Sequence, residues 1–301
     1  MTAPHPEPRV DVLIIGAGAS AAAFAWSMAD TKMNILCLEQ GDWTQPQNYP
    51  STGMNWESDN AANANPNYRR NAADYPINTQ NSPISVANYN GVGGGTILFA
   101  GHFPRFHPSD FRVKSLDGVA DDWPVDYPTL EPYYTTNDKM MGVAGLAGDP
   151  AYPPKEPTMP PVPMGRSGMA VAKGFNRLGW HWWPSDIAIA TTQYDGRDKC
   201  INLGACGSGC AQGAKASTDV TYWPHAVRAG VRLKTWCRVK EITTDNNGMA
   251  TGVSYFDRDG TEHHQESEMV VLACNGIGTP RLLLRSEEHT SELQSPDHLV
   301  C

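Results

Sequence analysis

The chain has 301 residues, 40% of them hydrophobic, enough for one large domain or two modest ones with a real core. Aromatic residues spread along its length argue against disorder, and a formal net charge of -9 without any Lys/Arg run argues against nucleic acid as a partner. The high content of glycine (28) and proline (24) points to long ordered loops, as in enzymes that wrap a cofactor.

The opening MTAPHPEPRVDVLIIG has no basic region and no cleavage site, so no signal peptide is expected. The longest apolar stretch, residues 12–26, is broken by small residues, so no membrane span is expected. Both features favour the cytoplasm, or the periplasm if the chain is exported with a partner subunit.

Residues 10–15 (VDVLII) are apolar and β-branched and predict a buried strand. Gly16-Ala17-Gly18-Ala19-Ser20-Ala21 follows at once, then an alanine-rich helix over 21–30 and a second strand over 34–38 ending on Glu39. This order is a β-α-β unit. Gly16 permits a tight turn, Gly18 lets the backbone approach a pyrophosphate, and Ala21 lets helix and strand pack closely. The helix N-terminus then faces the phosphates, and Glu39 is placed to accept from ribose hydroxyls. A lone glycine motif is weak evidence, but strand, helix, second strand and acid all fall in place.

Residues 48–83, rich in Asn, Pro and Tyr, read as a long excursion loop or lid. The run Val92-Gly93-Gly94-Gly95-Thr96, followed by apolar residues, reads as an ordered backbone contact to a flat or anionic ligand. Trp123 to Tyr134 starts a helix after a Pro-marked turn, residues 143–163 form a connector, and residues 171–178 form a short helix. Trp180-His181-Trp182-Trp183 suits a core or a substrate wall equally. Cys200, Cys206 and Cys210 are spaced as neither a zinc knuckle nor the usual cluster runs, which leaves a local disulfide or free thiols; no metal is expected. No Gly-x-Ser-x-Gly elbow or HExxH helix appears.

Residues 216–230 read as a helix and 231–233 and 237–242 as strands. Residues 252–256 and 263–268 read as a hairpin around Asp259-Gly260. Residues 269–273 read as a further buried strand, followed by a small-residue turn over 274–280 and a helix from Arg281.

Four stretches together resemble the glucose–methanol–choline (GMC) oxidoreductases. They are Gly16 through Glu39, Val92 to Thr96, Gly213-Ala-Lys-Ala-Ser-Thr218 with the helix after it, and VVLACNGIGTPRLLLR ending at Arg285. The cysteine segment and Trp123 to Tyr134 look like the gluconate- and fructose-dehydrogenase branch. The resemblance implies an α/β fold, an FAD-binding Rossmann-like βαβ domain with a partial substrate domain. It implies FAD, bound covalently or not, and hydride transfer to flavin from the CH–OH group of an alcohol, sugar or sugar acid. Gly16, Gly18 and Ser20 would lie on the pyrophosphate and Glu39 on the ribose. Gly93, Gly94, Gly95 and Thr96 would lie near the flavin, and Val239 would present its backbone to adenine. A small subunit or cytochrome is the implied electron-accepting partner. Phe99 and Ala100 stand where many members carry Asn or His. The family's catalytic His lies in a C-terminal half that no stretch here matches, so the catalytic residue is unassigned and the chain is expected to be a fragment inactive alone. Alternatives are a flavin-binding module without catalysis, or another FAD enzyme such as a monooxygenase.

The domains expected are 8–150 and 213–285 as two parts of the FAD-binding domain, with 151–212 a partial substrate domain or connector. Residues 286–301 read as a non-native tail, because Arg285 to Ser295 is what a common sequencing adapter encodes in one frame.

Overall fold

A computed structural model of the chain describes residues 7–58, 78, 80–84, 86 and 88–286. Its strands are β1 (Val10–Ile15), β2 (Ile35–Leu38), β3 (Arg232–Lys234), β4 (Arg238–Thr244), β5 (Ala250–Phe256) and β6 (Glu262–Leu272). Among the described residues the helices are α1 (Ala19–Met28), α2 (Val113–Asp117), α3 (Tyr127–Met141), α4 (Arg166–Leu178), α5 (Tyr222–Arg228) and α6 (Asn275–Ser286). The strands form one sheet in the order β3-β2-β1-β6-β5-β4.

β1 is central. It pairs in parallel with β2, Ile15 opposite Leu38, and in parallel with β6, Ile15 opposite Leu272. β6, β5 and β4 then run as an antiparallel meander. The near-continuous apolar sequence of β1 and β2 fits strands covered on both faces. Side chains alternate between the faces with the period of two that a strand imposes. Val12, Ile14, Ile35 and Cys37 pack with Ala21, Ala22 and Ala25 of α1 and with Tyr222, Trp223 and Ala226 of α5. Leu13, Ile15, Leu36 and Leu38 pack on the other face with Val239, Val253, Tyr255 and Leu282. Each buried Val, Leu or Ile among them contributes roughly 1.5–3 kcal/mol of apolar burial. Alanine at three positions of α1 is what lets that helix lie close to the sheet.

A smaller cluster brings Ala144, Met159, Ala190 and Ala214 together. Beside it, Arg105 reaches into α3 and donates to Asp138 Oδ2 from Nε at 2.9 Å and from a terminal nitrogen at 2.7 Å. Asp126 caps α3 by accepting from the Thr129 N–H.

The structure departs from the sequence reading in several places. Residues 216–230 are not one helix; only Tyr222–Arg228 is helical. Residues 217–221 turn instead, with Thr221 Oγ1 donating to Ser217 O and Thr218 N donating to Thr96 Oγ1. The hairpin arm at 263–268 and the strand at 269–273 are one continuous strand, β6, which pairs first with β5 and then with β1. Its last part is not buried: Met269 is 54% exposed. The expected turn at 274–280 is already helix, because Asn275 at φ +64° turns its Oδ1 back to accept from the N–H groups of Ile277 and Gly278. α1 and α4 each begin earlier than read, at Ala19 and Arg166. Most of the 48–83 excursion (59–77) and the tail at 287–301 lie outside the described residues.

Candidate functional site

The C-terminal ends of β1, β2 and β6 converge on one edge of the sheet, where the strand order switches direction and open α/β sheets place their ligands. β1 runs into Gly16, whose φ of +92° suits glycine. A Cβ at Gly16 would stand 2.7 Å from Ala273 O, so the turn is pressed against the end of β6. Gly18 is the N-cap of α1 and brings no capping side chain, and the first turn of the helix has no acidic residue. A Cβ on Gly18 would meet nothing within 4 Å, and Ala19 and Ser20 are exposed. The positive end of the α1 dipole is therefore open to an anion.

Glu39 follows β2 and is 5% exposed. Its Oε2 accepts from the Ala17 N–H at 2.8 Å and its Oε1 from the Gly41 N–H at 2.8 Å. The carboxylate thus fixes the Gly16–Gly18 turn from below. The start of β4 comes to the same place: Cys237 N donates to Glu39 O, and Trp236 N donates to Gly41 O. Val239 lies just beyond, its side chain buried in the second cluster and its backbone paired with Tyr255.

The glycine run closes over this turn. Gly93, at φ +98°, donates its N–H to Ala17 O at 2.9 Å. Gly94 comes so near that a Cβ on it would lie 2.9 Å from Gly18 Cα. A short 3-10 helix, Gly94–Ile97, follows. Gly95 is exposed with open space beside it. Thr96 Oγ1 donates to Gly93 O at 2.6 Å and accepts from Thr218 N at 3.0 Å. The structure therefore brings Gly16, Gly18, Ser20, Glu39, Gly93, Gly94, Gly95 and Thr96 to one cradle, with Val239 at its β4 side.

The sequence reading missed several residues that build the cradle. Ala17 O accepts from Trp223 Nε1 at 2.9 Å as well as from Gly93. Lys215, 1% exposed, donates to the carbonyls of Thr96, Ile97, Phe99 and Cys206 at 2.7–3.1 Å. Burial pulls its ammonium down to about 8. Asp219 sits behind Gly93, and Tyr49 Oη donates to its Oδ2 at 3.3 Å. Burial raises the pKa of both groups. The only signal for Lys215 and Asp219 was their place in or next to Gly213–Thr218, a stretch that carried the resemblance without a role.

Cys200, Cys206 and Cys210 form no disulfide, and burial pushes the Cys206 thiol up. Among the described residues no group of three or more His, Cys, Asp or Glu is placed to hold a metal ion. The tryptophan patch is not core: Trp180 is 60% exposed, and the patch lines a shallow surface groove with Leu146 and Met164. His102 pairs weakly with Ser185, and His181, His225 and His263 pair with Asp149, Asp195 and Asp257, all away from the cradle residues in these contacts. No helix among the described residues is long and apolar enough to cross a membrane.

A parallel core with a glycine turn at a helix N-terminus and an acid after the next strand defines a dinucleotide-binding α/β fold. The family model described as GMC oxidoreductase matches residues 165–291, and the chain is similar to proteins of that family over about half of their length. It is 39% identical to 2-methyl-1,2-propanediol dehydrogenase of Mycolicibacterium austroafricanum, over 97% of this chain and 54% of that protein. It is 28% identical to the fructose dehydrogenase large subunit of Gluconobacter japonicus, over 91% of this chain and 54% of that protein. Among solved structures, pyridoxine 4-oxidase from Mesorbium loti has the same fold at a TM-score of 0.57 and 20% identity, covering 92% of this chain and 52% of that one. The chain spans about half the length of the curated relatives it matches.

Proposed function

We propose that the cradle holds FAD and that the chain is the cofactor-binding half of an enzyme oxidising the CH–OH group of an alcohol, sugar or sugar acid. The observation that carries the reading is the open N-terminus of α1 at Gly18, roofed by the glycine run at Gly94. The cradle fits the cofactor: no side chain caps the helix, no acid repels phosphate there, and both Gly18 and Gly95 leave room where a Cβ would stand. In this reading Gly16, Gly18 and Ser20 hold the pyrophosphate through backbone N–H groups and the helix dipole. Glu39 sets the ribose end, Val239 offers its backbone toward adenine, and Gly93, Gly94, Gly95 and Thr96 shape the isoalloxazine side. FAD, when bound, supplies the acceptor for a hydride from carbon. The base that takes the hydroxyl proton is not assigned to any described histidine. The relatives named above support an alcohol or sugar substrate, with a small vicinal diol the first to assay. The fructose dehydrogenase match to a large subunit supports a partner subunit as electron acceptor.

The test is titration of the purified chain with FAD, NAD and ADP, followed by flavin fluorescence and calorimetry. FAD binding tighter than NAD is expected. NAD preference, or no binding by a chain shown to be folded, overturns the reading. A chain that binds FAD yet reduces no dye with any of a panel of diols, aldoses and gluconate is the expected behaviour of a cofactor-binding half without its base.

A further inference from the structure

Lys215 is a buried cation bound by no carboxylate among the contacts described for it. Its Nζ lies 3.1 Å from Thr96 O, 2.7 Å from Ile97 O, 2.9 Å from Phe99 O and 2.8 Å from Cys206 O. Its ammonium also sits 4.8 Å from the centre of the Phe99 ring. Burying an ammonium is costly unless its donors are all used. With three donors and four carbonyls, they are.

The place of these carbonyls gives the lysine its meaning. Three of the four belong to the end of the Gly94–Ile97 turn and the residues just after it, where a helical turn leaves its carbonyls without partners and carries its negative pole. A basic side chain at that end is a C-terminal cap. The opposite end of the same turn, Gly93 and Gly94, is the part clamped to Ala17 and Gly18. The backbone at Lys215 is held by an isolated antiparallel bridge to Ile189. Ala214 and Ala216 on either side are fully buried.

We propose that Lys215 is a positioning residue for the flavin end of the cofactor: by capping the carbonyl end of the Gly94–Ile97 turn it holds the glycine run in its binding shape before any ligand arrives. It makes no direct contact with the phosphate turn or Glu39 in the bonds described for it, so its effect falls first on the flavin side. The inference rests on the FAD reading above and adds to it a residue with a defined task.

The experiment compares the parent chain with Lys215→Met, which keeps the length of the side chain and removes the donors. ADP, which fills only the phosphate and adenosine end, is titrated beside FAD. The expected result is an FAD Kd raised at least tenfold with the ADP Kd within twofold of the parent. Equal weakening of both ligands would mean general damage, and no change in either would mean an idle lysine; each overturns the proposal. Hydrogen exchange of the 93–99 peptide without ligand is the second readout. Protection in the parent that falls at least tenfold in Lys215→Met supports it, and equal exchange overturns it. Should Lys215→Met yield no folded protein, exchange in the parent alone decides. A 93–99 peptide that exchanges at unstructured rates until FAD is added is not held in advance. If the parent binds ADP and FAD equally or neither, the flavin reading falls, and the exchange comparison still judges the role of Lys215 in the turn.

Discussion

Replacing Glu39 should destabilise the chain even with no cofactor present. Its two carboxylate oxygens accept from the Ala17 and Gly41 N–H groups, each at 2.8 Å, in a side chain that is 5% exposed. Hydrogen bonds to a charged group contribute about 1.5–3 kcal/mol each, and a buried donor left without a partner costs about 1–3 kcal/mol. Glu39→Ala orphans both donors and should cost about 2–5 kcal/mol. Glu39→Gln keeps the shape: its amide oxygen serves one donor while its NH2 faces the other, so a cost of about 1–3 kcal/mol is expected. Urea unfolding of the ligand-free chain measures this through tryptophan emission, since Trp223 is fully buried and its indole N–H is bonded to the same Ala17. The order parent, Gln, Ala in decreasing stability is required. If Glu39→Ala unfolds within 0.5 kcal/mol of the parent, the carboxylate is not a prop for the turn and acts only on a ligand.

The two glycines of the first turn should separate fold from binding. Gly16→Ala places a Cβ 2.7 Å from Ala273 O at φ +92° and should lower the melting temperature sharply, whereas Gly18→Ala meets no atom and should leave melting unchanged while weakening FAD. Equal melting temperatures for the two variants would contradict the packing described. Arg105→Met leaves Asp138 buried without its partner and should cost about 3–5 kcal/mol in denaturant unfolding; a loss under 1 kcal/mol refutes the pairing. Lys215 gives a pH dependence. Its folded-state pKa of about 8 lies below an unfolded value of roughly 10.4, so between these pH values the unfolded chain holds more protons and this group adds stability as pH rises. Burial is the first cause, and the groups opposing it are Cys206, Cys210 and Asp219. The stability difference between parent and Lys215→Met should therefore shift in the parent's favour by about 1–3 kcal/mol from pH 7 to pH 10. Subtracting the variant removes the opposite trend of the buried thiols Cys37, Cys237 and Cys274, whose raised pKa values make them lose stability over the same range. A difference that stays constant or moves the other way rejects the assignment.

What was legible in the sequence was whatever has a strong local cause. β1 has the bounds its sequence predicts because VDVLII is an apolar, β-branched run, and the places of Gly16, Gly18 and Glu39 at the strand ends follow from the spacing of one β-α-β unit. The hairpin turn held because Asp257 accepts from the N–H groups of Asp259 and Thr261 while Gly260 takes φ +80°. The failures lie where distant segments decide. Residues 217–221 favour helix locally but are drawn into a turn by bonds to Thr96, more than a hundred residues away. The 269–273 strand looked separate because its neighbours differ from those of 263–268, yet the chain runs straight between two ladders. Asn275 carried no helix-start signal beyond its type, and its cap is visible only once its left-handed backbone is seen.

The cradle shows why motif letters underdetermine a site. Ala17 is the variable position between the two glycines of the motif, and any side chain rule would pass over it. Yet its N–H is bonded to Glu39 after β2, and its carbonyl accepts from both Gly93 of the glycine run and Trp223 of α5. The backbone of one residue thus joins four segments spread over more than two hundred residues of sequence. Because these bonds use main-chain atoms, substitution at Ala17 tests only packing, and the connection must be probed from its partners. Trp223 is the best of them: it is fully buried, it fills the α1 face of the sheet, and its indole reaches the turn from behind. Trp223→Phe would keep most of the apolar volume and delete the bond, leaving the Ala17 carbonyl still paired with Gly93. The glycine run and the Gly16–Gly18 turn are therefore bound both to each other and to the helix layer through the same carbonyl. This shared anchor helps to hold a loop of three consecutive glycines, residues with the widest backbone freedom, in one shape.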